Sequence, residues 1–100
     1  MYDMANLKKV RKLGELAPEA FQSFVTFDEA AFREGVIPLK YKELLAVAVA
    51  LTTQCPYCIE LHAKRAKQAG ATEQELAEAT LVTAALRAGG AITHGTHTLE

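Results

Sequence analysis

The stretch TQCPYCIELHAKRAKQAG, residues 53–70, decides the fold. It holds both cysteines of the chain, Cys55 and Cys58, and one of its three histidines, His62. Just before it runs LLAVAVAL, residues 44–51, which is apolar on every side and alternates nowhere. Alternation is the mark of a half-buried strand, and a run rich in Ala and Leu is helical by propensity. The cysteine pair therefore opens one helix and follows another.

The same reading extends outward. Gly14, Pro18, Gly35, Pro38, Pro56, Gly70 and Gly89-Gly90 punctuate the chain, and the segments between them read as helix. A first helix is expected over residues 6–14. A second starts near Pro18, a good first-turn residue, ends near Gly35, and gathers Phe21, Phe24, Val25, Ala31 and Phe32 on one face. A third runs from after Pro38 to about Thr53. Being apolar all round, it belongs at the buried centre or in a subunit interface. The fourth runs from Cys55-Pro56 to just before Gly70. TEQE, residues 72–75, is a capping box that opens a fifth helix from Glu73 to about Arg87. A last helical piece, frayed at Gly95, follows Gly89-Gly90. The expectation is one all-α domain over residues 1–100. The phenylalanines and Tyr41 are expected in its core.

On the fourth helix, at about 100° per residue, Cys55, Cys58, Ile59, His62, Ala66 and Ala69 form one stripe. Lys64, Lys67 and Gln68 lie opposite. Both sulfurs and the imidazole thus point inward together. Pro56 fits the first helical position, which puts Cys55 at the cap. There free N–H groups and the helix dipole stabilise a thiolate. His62 lies one turn after Cys58 and can take its proton, the pattern of an activated thiol. The two sulfurs can also join, so a reversible dithiol/disulfide site is expected: one thiolate oxidised to a sulfenic acid, the other condensing with it. Glu43 opens the apolar third helix. If that helix packs on the fourth, its carboxylate is partly buried and wants a partner, for which His62 is the candidate.

Blander readings compete. The cysteines could be small core residues. A zinc site needs four ligands, or three plus water; Cys55, Cys58 and His62 sit on one short segment, and His94 and His97 lie far off common zinc spacing. Those two histidines read as ordinary polar residues near a chain end, and Glu43 alone could be a first-turn carboxylate favoured by the dipole. Tyr57 is either exposed or lines the mouth of the site. A thioredoxin-like scaffold is excluded because it needs strands.

With 11 basic and 12 acidic residues there is no field to attract nucleic acid or a membrane surface. The cluster KRAK at residues 64–67 and the stretch from Leu7 to Arg11, with KKVRK beginning at Lys8, read as solvated helix faces. No signal peptide or spanning segment is visible, so a cytoplasmic setting is expected, where paired cysteines are redox-active or metal-binding more often than structural.

Glu43, eleven intervening residues, then Cys55-x-x-Cys58-x-x-x-His62 resembles the alkylhydroperoxidase AhpD-like proteins of the carboxymuconolactone decarboxylase superfamily. The surrounding KYKELLAVAVALTTQCPYCIELHAKRAKQAGATEQELAEA is similar to them throughout, and the likeness spans roughly residues 38–90. The resemblance implies an all-helical fold, homo-oligomers (trimers or hexamers) and cytoplasmic thiol peroxidase activity. It implies no bound cofactor and an external dithiol reductant, such as a lipoyl group on a carrier protein. It assigns attack on the hydroperoxide to Cys58, resolution to Cys55, and proton relay to Glu43 and His62. Helix physics agrees on the residues but divides on the order, since the dipole favours Cys55 while His62 adjoins Cys58; the order implied by the resemblance is followed here. A sister branch decarboxylates carboxymuconolactone and typically lacks the cysteine pair. A general disulfide reductase or redox sensor would cycle the same cysteines without peroxide turnover. A non-catalytic binding protein would not need them.

Overall fold

A computed structural model describes residues 2–100. Among them are five α-helices and no strand: α1 Val10–Leu16, α2 Pro18–Phe32, α3 Leu39–Thr53, α4 Pro56–Gln68 and α5 Glu73–Gly95. Short 3₁₀ segments, Met4–Lys9 and Thr96–Thr98, flank them. No helix among the described residues is long and apolar enough to cross a membrane.

The helix ends follow from local chemistry. Pro18 occupies the first turn of α2, where its missing N–H costs nothing. Pro38 precedes α3 without offering a side-chain cap, and the Glu34 carboxylate instead accepts from the Leu39 N–H at 3.1 Å. Gln54, in the left-handed region at φ 55°, turns the chain out of α3. Gly70, at φ 100°, ends α4: Ala71 N–H donates to the Ala66 carbonyl and Gly70 N–H to Lys67, the paired bonds of a Schellman stop. The expected capping box is present, with Glu75 N–H donating to Thr72 Oγ1 at 3.1 Å and Thr72 N–H to Glu75 Oε1 at 2.9 Å.

Helix α3 lies between α4 and α5 and packs most extensively on α4. Two ties set the direction of α5. Lys40 pairs with Glu75 at 3.0 Å, and Arg87 donates to the Thr52 carbonyl at 2.8 Å. The starts of α3 and α5 therefore meet, and so do points twelve residues further along each, so the two run parallel. On α3, Glu43, Val47 and Ala50 fall on one stripe and are buried, as is Ala66 on α4. Lys42 reaches back to the carbonyls of Ala31, at 2.9 Å, and Arg33, fastening the end of α2 to α3.

Several expectations are corrected. The N-terminal helix begins as a 3₁₀ segment and continues through Gly14 to Leu16. Gly14 is where the Phe21 ring rests; a Cβ there would lie 2.7 Å from Phe21 Cδ1. Helix α5 does not stop near Arg87 but continues through Gly89-Gly90 to Gly95. Each internal glycine costs about 1 kcal/mol relative to alanine, and propagation of an already formed helix absorbs that.

The larger correction concerns burial. Val47 and Ala50 make α3 central, but Leu45 and Val49, on its other side, are 55% and 61% exposed. Phe24, Phe27 and Tyr41 are exposed rather than core. On α5, Leu81, Val82, Leu86 and Ile92 are exposed as well. The chain measures 53 × 32 × 28 Å with a radius of gyration of 16.7 Å, against about 13 Å for a compact domain of this length. Among the described residues nothing covers those faces.

Candidate functional site

The site sits where the buried stripe of α3 meets the stripe of α4. Cys55 is the N-cap of α4, with Pro56 in the first turn, as the sequence predicts. Its Sγ accepts the Cys58 N–H at 3.4 Å and lies 2.8 Å from Cys58 Sγ. Both thiols are free and half-buried. The pair is electrostatically uneven. The hydrogen bond it shares with the Cys58 side chain holds the Cys55 pKa below its ordinary value, helped by the N–H groups of Cys58 and Tyr57. The same hydrogen bond pushes the Cys58 pKa up, with burial and the charge on Cys55 adding to it. Of the two thiols, Cys55 is therefore the easier to ionise. That ordering of the two thiols agrees with the helix dipole, whereas the resemblance implies attack by Cys58.

Glu43 and His62 meet as expected from the packing of α3 on α4. His62 Nδ1 is 3.0 Å from Glu43 Oε1 and 3.2 Å from Oε2. Glu43 is 2% exposed, and the imidazole supplies the partner its carboxylate requires. A carboxylate can only accept, so Nδ1 carries the hydrogen and Nε2 is the nitrogen able to take another proton. The hydrogen bonds of His62 run to Glu43 and not to sulfur. Cys58 lies one turn before His62 on the same helix face.

Two neighbours were not legible as site residues. Phe32, at the end of α2, stacks on His62 with ring centroids 5.1 Å apart and planes 10° apart. Its place in an apolar stripe reads only as core. The N-terminal 3₁₀ segment also comes over the start of α4. Asp3 N–H and Asn6 Nδ2 both donate to the Tyr57 hydroxyl, at 3.2 and 3.0 Å, and the Tyr2 ring lies against the Tyr57 ring. Tyr57 therefore belongs to the mouth of the site. No periodicity links residues this far apart in sequence.

His94 and His97 stay outside. Their rings pair with each other 5.7 Å apart, and His94 Nδ1 donates to the Gly90 carbonyl. Among the described residues no three His, Cys, Asp or Glu side chains converge in a way that could hold a metal ion.

Residues 18–100 match the carboxymuconolactone decarboxylase family. Uncharacterized protein 4 in the cox locus of Paracoccus denitrificans is 38% identical over 102 aligned positions, covering 99% of this chain and 92% of that protein. An uncharacterized Haemophilus influenzae protein is 41% identical over 59 residues, covering 59% of this chain and 52% of its own. A crystal structure of a Methanobacterium thermoautotrophicum protein superposes with a TM-score of 0.81 at 40% identity, covering 86% of this chain and 97% of that one. A carboxymuconolactone decarboxylase family protein from Legionella pneumophila superposes with a TM-score of 0.77 at 31% identity, covering 80% and 71%.

Proposed function

This chain belongs to the carboxymuconolactone decarboxylase family, and we propose that within it the protein is a thiol peroxidase that reduces hydroperoxides through Cys55 and Cys58. The observation that carries this reading is the pair of free sulfurs 2.8 Å apart at a helix N-terminus, one thiol donating to the other. A decarboxylase has no evident use for such a pair, whereas a peroxidase needs an ionised thiol beside a protonated one.

The Cys55 thiolate attacks the outer oxygen of the hydroperoxide. The O–O bond breaks, Cys55 becomes a sulfenic acid, and the departing alkoxide takes a proton from water. Cys58 then attacks the Cys55 sulfur and a disulfide forms. For this its thiol must lose its proton, and His62 Nε2 receives it by way of solvent and returns it to the leaving hydroxide, which departs as water. Glu43 holds the imidazole in the tautomer that does this. Two thiol–disulfide exchanges with an external dithiol, a lipoyl group by family resemblance, restore both thiols. Over one cycle a hydroperoxide and an external dithiol give an alcohol, a water and an external disulfide. The working form is a homo-oligomer whose contacts cover the apolar faces of α3 and α5, in a reducing cytoplasmic setting.

The test is rapid-quench reaction of the reduced protein with an alkyl hydroperoxide, followed by mass spectrometry of the peptide spanning Cys55 and Cys58. An intrapeptide disulfide formed far faster than free cysteine is oxidised supports the proposal. Oxidation by small disulfides with no reaction toward peroxide would make the protein a disulfide reductase or redox sensor.

A further inference from the structure

We propose that the N-terminal segment forms one wall of an apolar substrate pocket over the dithiol, and that Leu7 and Val10 select organic hydroperoxides over hydrogen peroxide. This rests on the thiol peroxidase reading and adds where the organic part of the substrate lies.

A cleft of about 350 Å³ opens beside the sulfurs, lined by Asn6, Leu7, Val10, Cys55, Tyr57 and Cys58. That is the small end of the range for ligand cavities, about 300–1,000 Å³. The Asn6 amide is turned to the Tyr57 hydroxyl. The wall facing the sulfurs is therefore mainly the hydrocarbon of Leu7 and Val10 and the Tyr57 ring. No basic side chain lines the cleft, so a carboxylate or phosphate tail would lose its hydration and find no counter-charge. An uncharged alkyl or aryl tail instead buries its surface there while its peroxide end reaches sulfur. Hydrogen peroxide has no tail and gains nothing from the wall.

Tyr57 holds the wall in place. It lies between the two cysteines in sequence, and its hydroxyl receives the Asp3 N–H and the Asn6 amide. The residue that fixes the N-terminal segment is thus built into the Cys-x-x-Cys turn. Tyr57 is a positioning residue, and Leu7 and Val10 are the specificity residues.

The experiment measures second-order rate constants for oxidation of the reduced full-length protein by cumene hydroperoxide and by hydrogen peroxide. The readout is their ratio, which a general loss of folding or thiol reactivity does not move selectively. Leu7→Ser and Val10→Ser should each lower the ratio by about tenfold, the low end of what apolar pocket contacts contribute to discrimination. Tyr57→Phe should lower it in the same direction by loosening the wall. Ratios equal to wild type in all three variants would overturn the proposal. A second measurement separates it from the peroxidase reading: the product alcohol, 2-phenyl-2-propanol, should slow iodoacetamide alkylation of Cys55. Alcohol protection without peroxide turnover would overturn the peroxidase reading and with it the substrate assigned here. Turnover of both peroxides with unchanged ratios and no protection would leave that reading standing and overturn the pocket.

Discussion

His62→Gln separates the two chemical steps. Glutamine keeps an N–H donor near Glu43, so the buried carboxylate stays paired and the fold is spared the penalty of an orphaned charge. What is lost is the titratable nitrogen. Attack on peroxide should change little, because the Cys55 thiolate is held by the Cys58 thiol and by backbone N–H groups and not by His62. Resolution should suffer. A thiol of ordinary pKa, about 8.5, is only about 3% ionised at pH 7, and hydrogen bonding and burial push Cys58 higher. Losing a general base typically costs about 10²–10⁴-fold; with solvent intervening, about 10²-fold at pH 7 is expected. The deficit should shrink about tenfold per pH unit until Cys58 ionises unaided. The chain has no tryptophan to report by fluorescence, so the assay is rapid quenching into dimedone with mass spectrometry. The variant should accumulate dimedone-trapped sulfenic acid on Cys55 that wild type does not. If peroxide consumption itself slows a hundredfold and no sulfenic acid builds up, attack begins at Cys58, as the resemblance implies. If neither step changes, the Glu43–His62 pair is structural.

Four other outcomes are expected. Brief iodoacetamide treatment at pH 7 should label Cys55 ahead of Cys58, with labelling falling as pH drops through the lowered Cys55 pKa; peptide mapping that found Cys58 labelled first would reverse the assigned order. Light scattering at micromolar concentration should give a multiple of 10.8 kDa, reduced by Leu45→Glu or Leu86→Glu, and a wild-type monomer would contradict the covering of these faces by other copies. Thr72→Ala should destabilise the fold by about 0.5–2 kcal/mol through loss of the α5 cap, read by thermal melting. Glu75→Gln should cost stability only where Glu75 is ionised. Its folded-state pKa is depressed by the Thr72 N–H and by Lys40, so that cost is present at neutral pH and vanishes as pH falls through a value below the usual 4.3 or so.

The local structure was legible where a residue's own chemistry fixes it. Proline at the start of α4, the capping box of α5 and the stripe from Cys55 to Ala69 all stand as the sequence suggests. The Glu43–His62 pair followed from one tertiary assumption, that an apolar helix packs on its neighbour, together with the cost of burying a carboxylate. What could not be read depends on contacts between distant segments. Phe32 looks like any core phenylalanine until its ring is found on His62. Leu7 and Val10 look like part of a solvated basic helix until the segment folds over Cys58. The exposed Phe24, Phe27 and Tyr41 were misplaced because hydrophobicity says only that a side chain leaves water, not whether it does so inside one chain or against another.

Stoichiometry decides whether Cys55 and Cys58 form a hydroperoxide-reducing dithiol. Reduced protein is titrated with substoichiometric cumene hydroperoxide, counting thiols lost and alcohol formed. Two thiols should be lost per alcohol, with a Cys55–Cys58 disulfide as the only oxidised product and full recovery of both thiols with dihydrolipoamide. Alcohol formation without thiol loss, or no alcohol at rates above those of free cysteine, would contradict it.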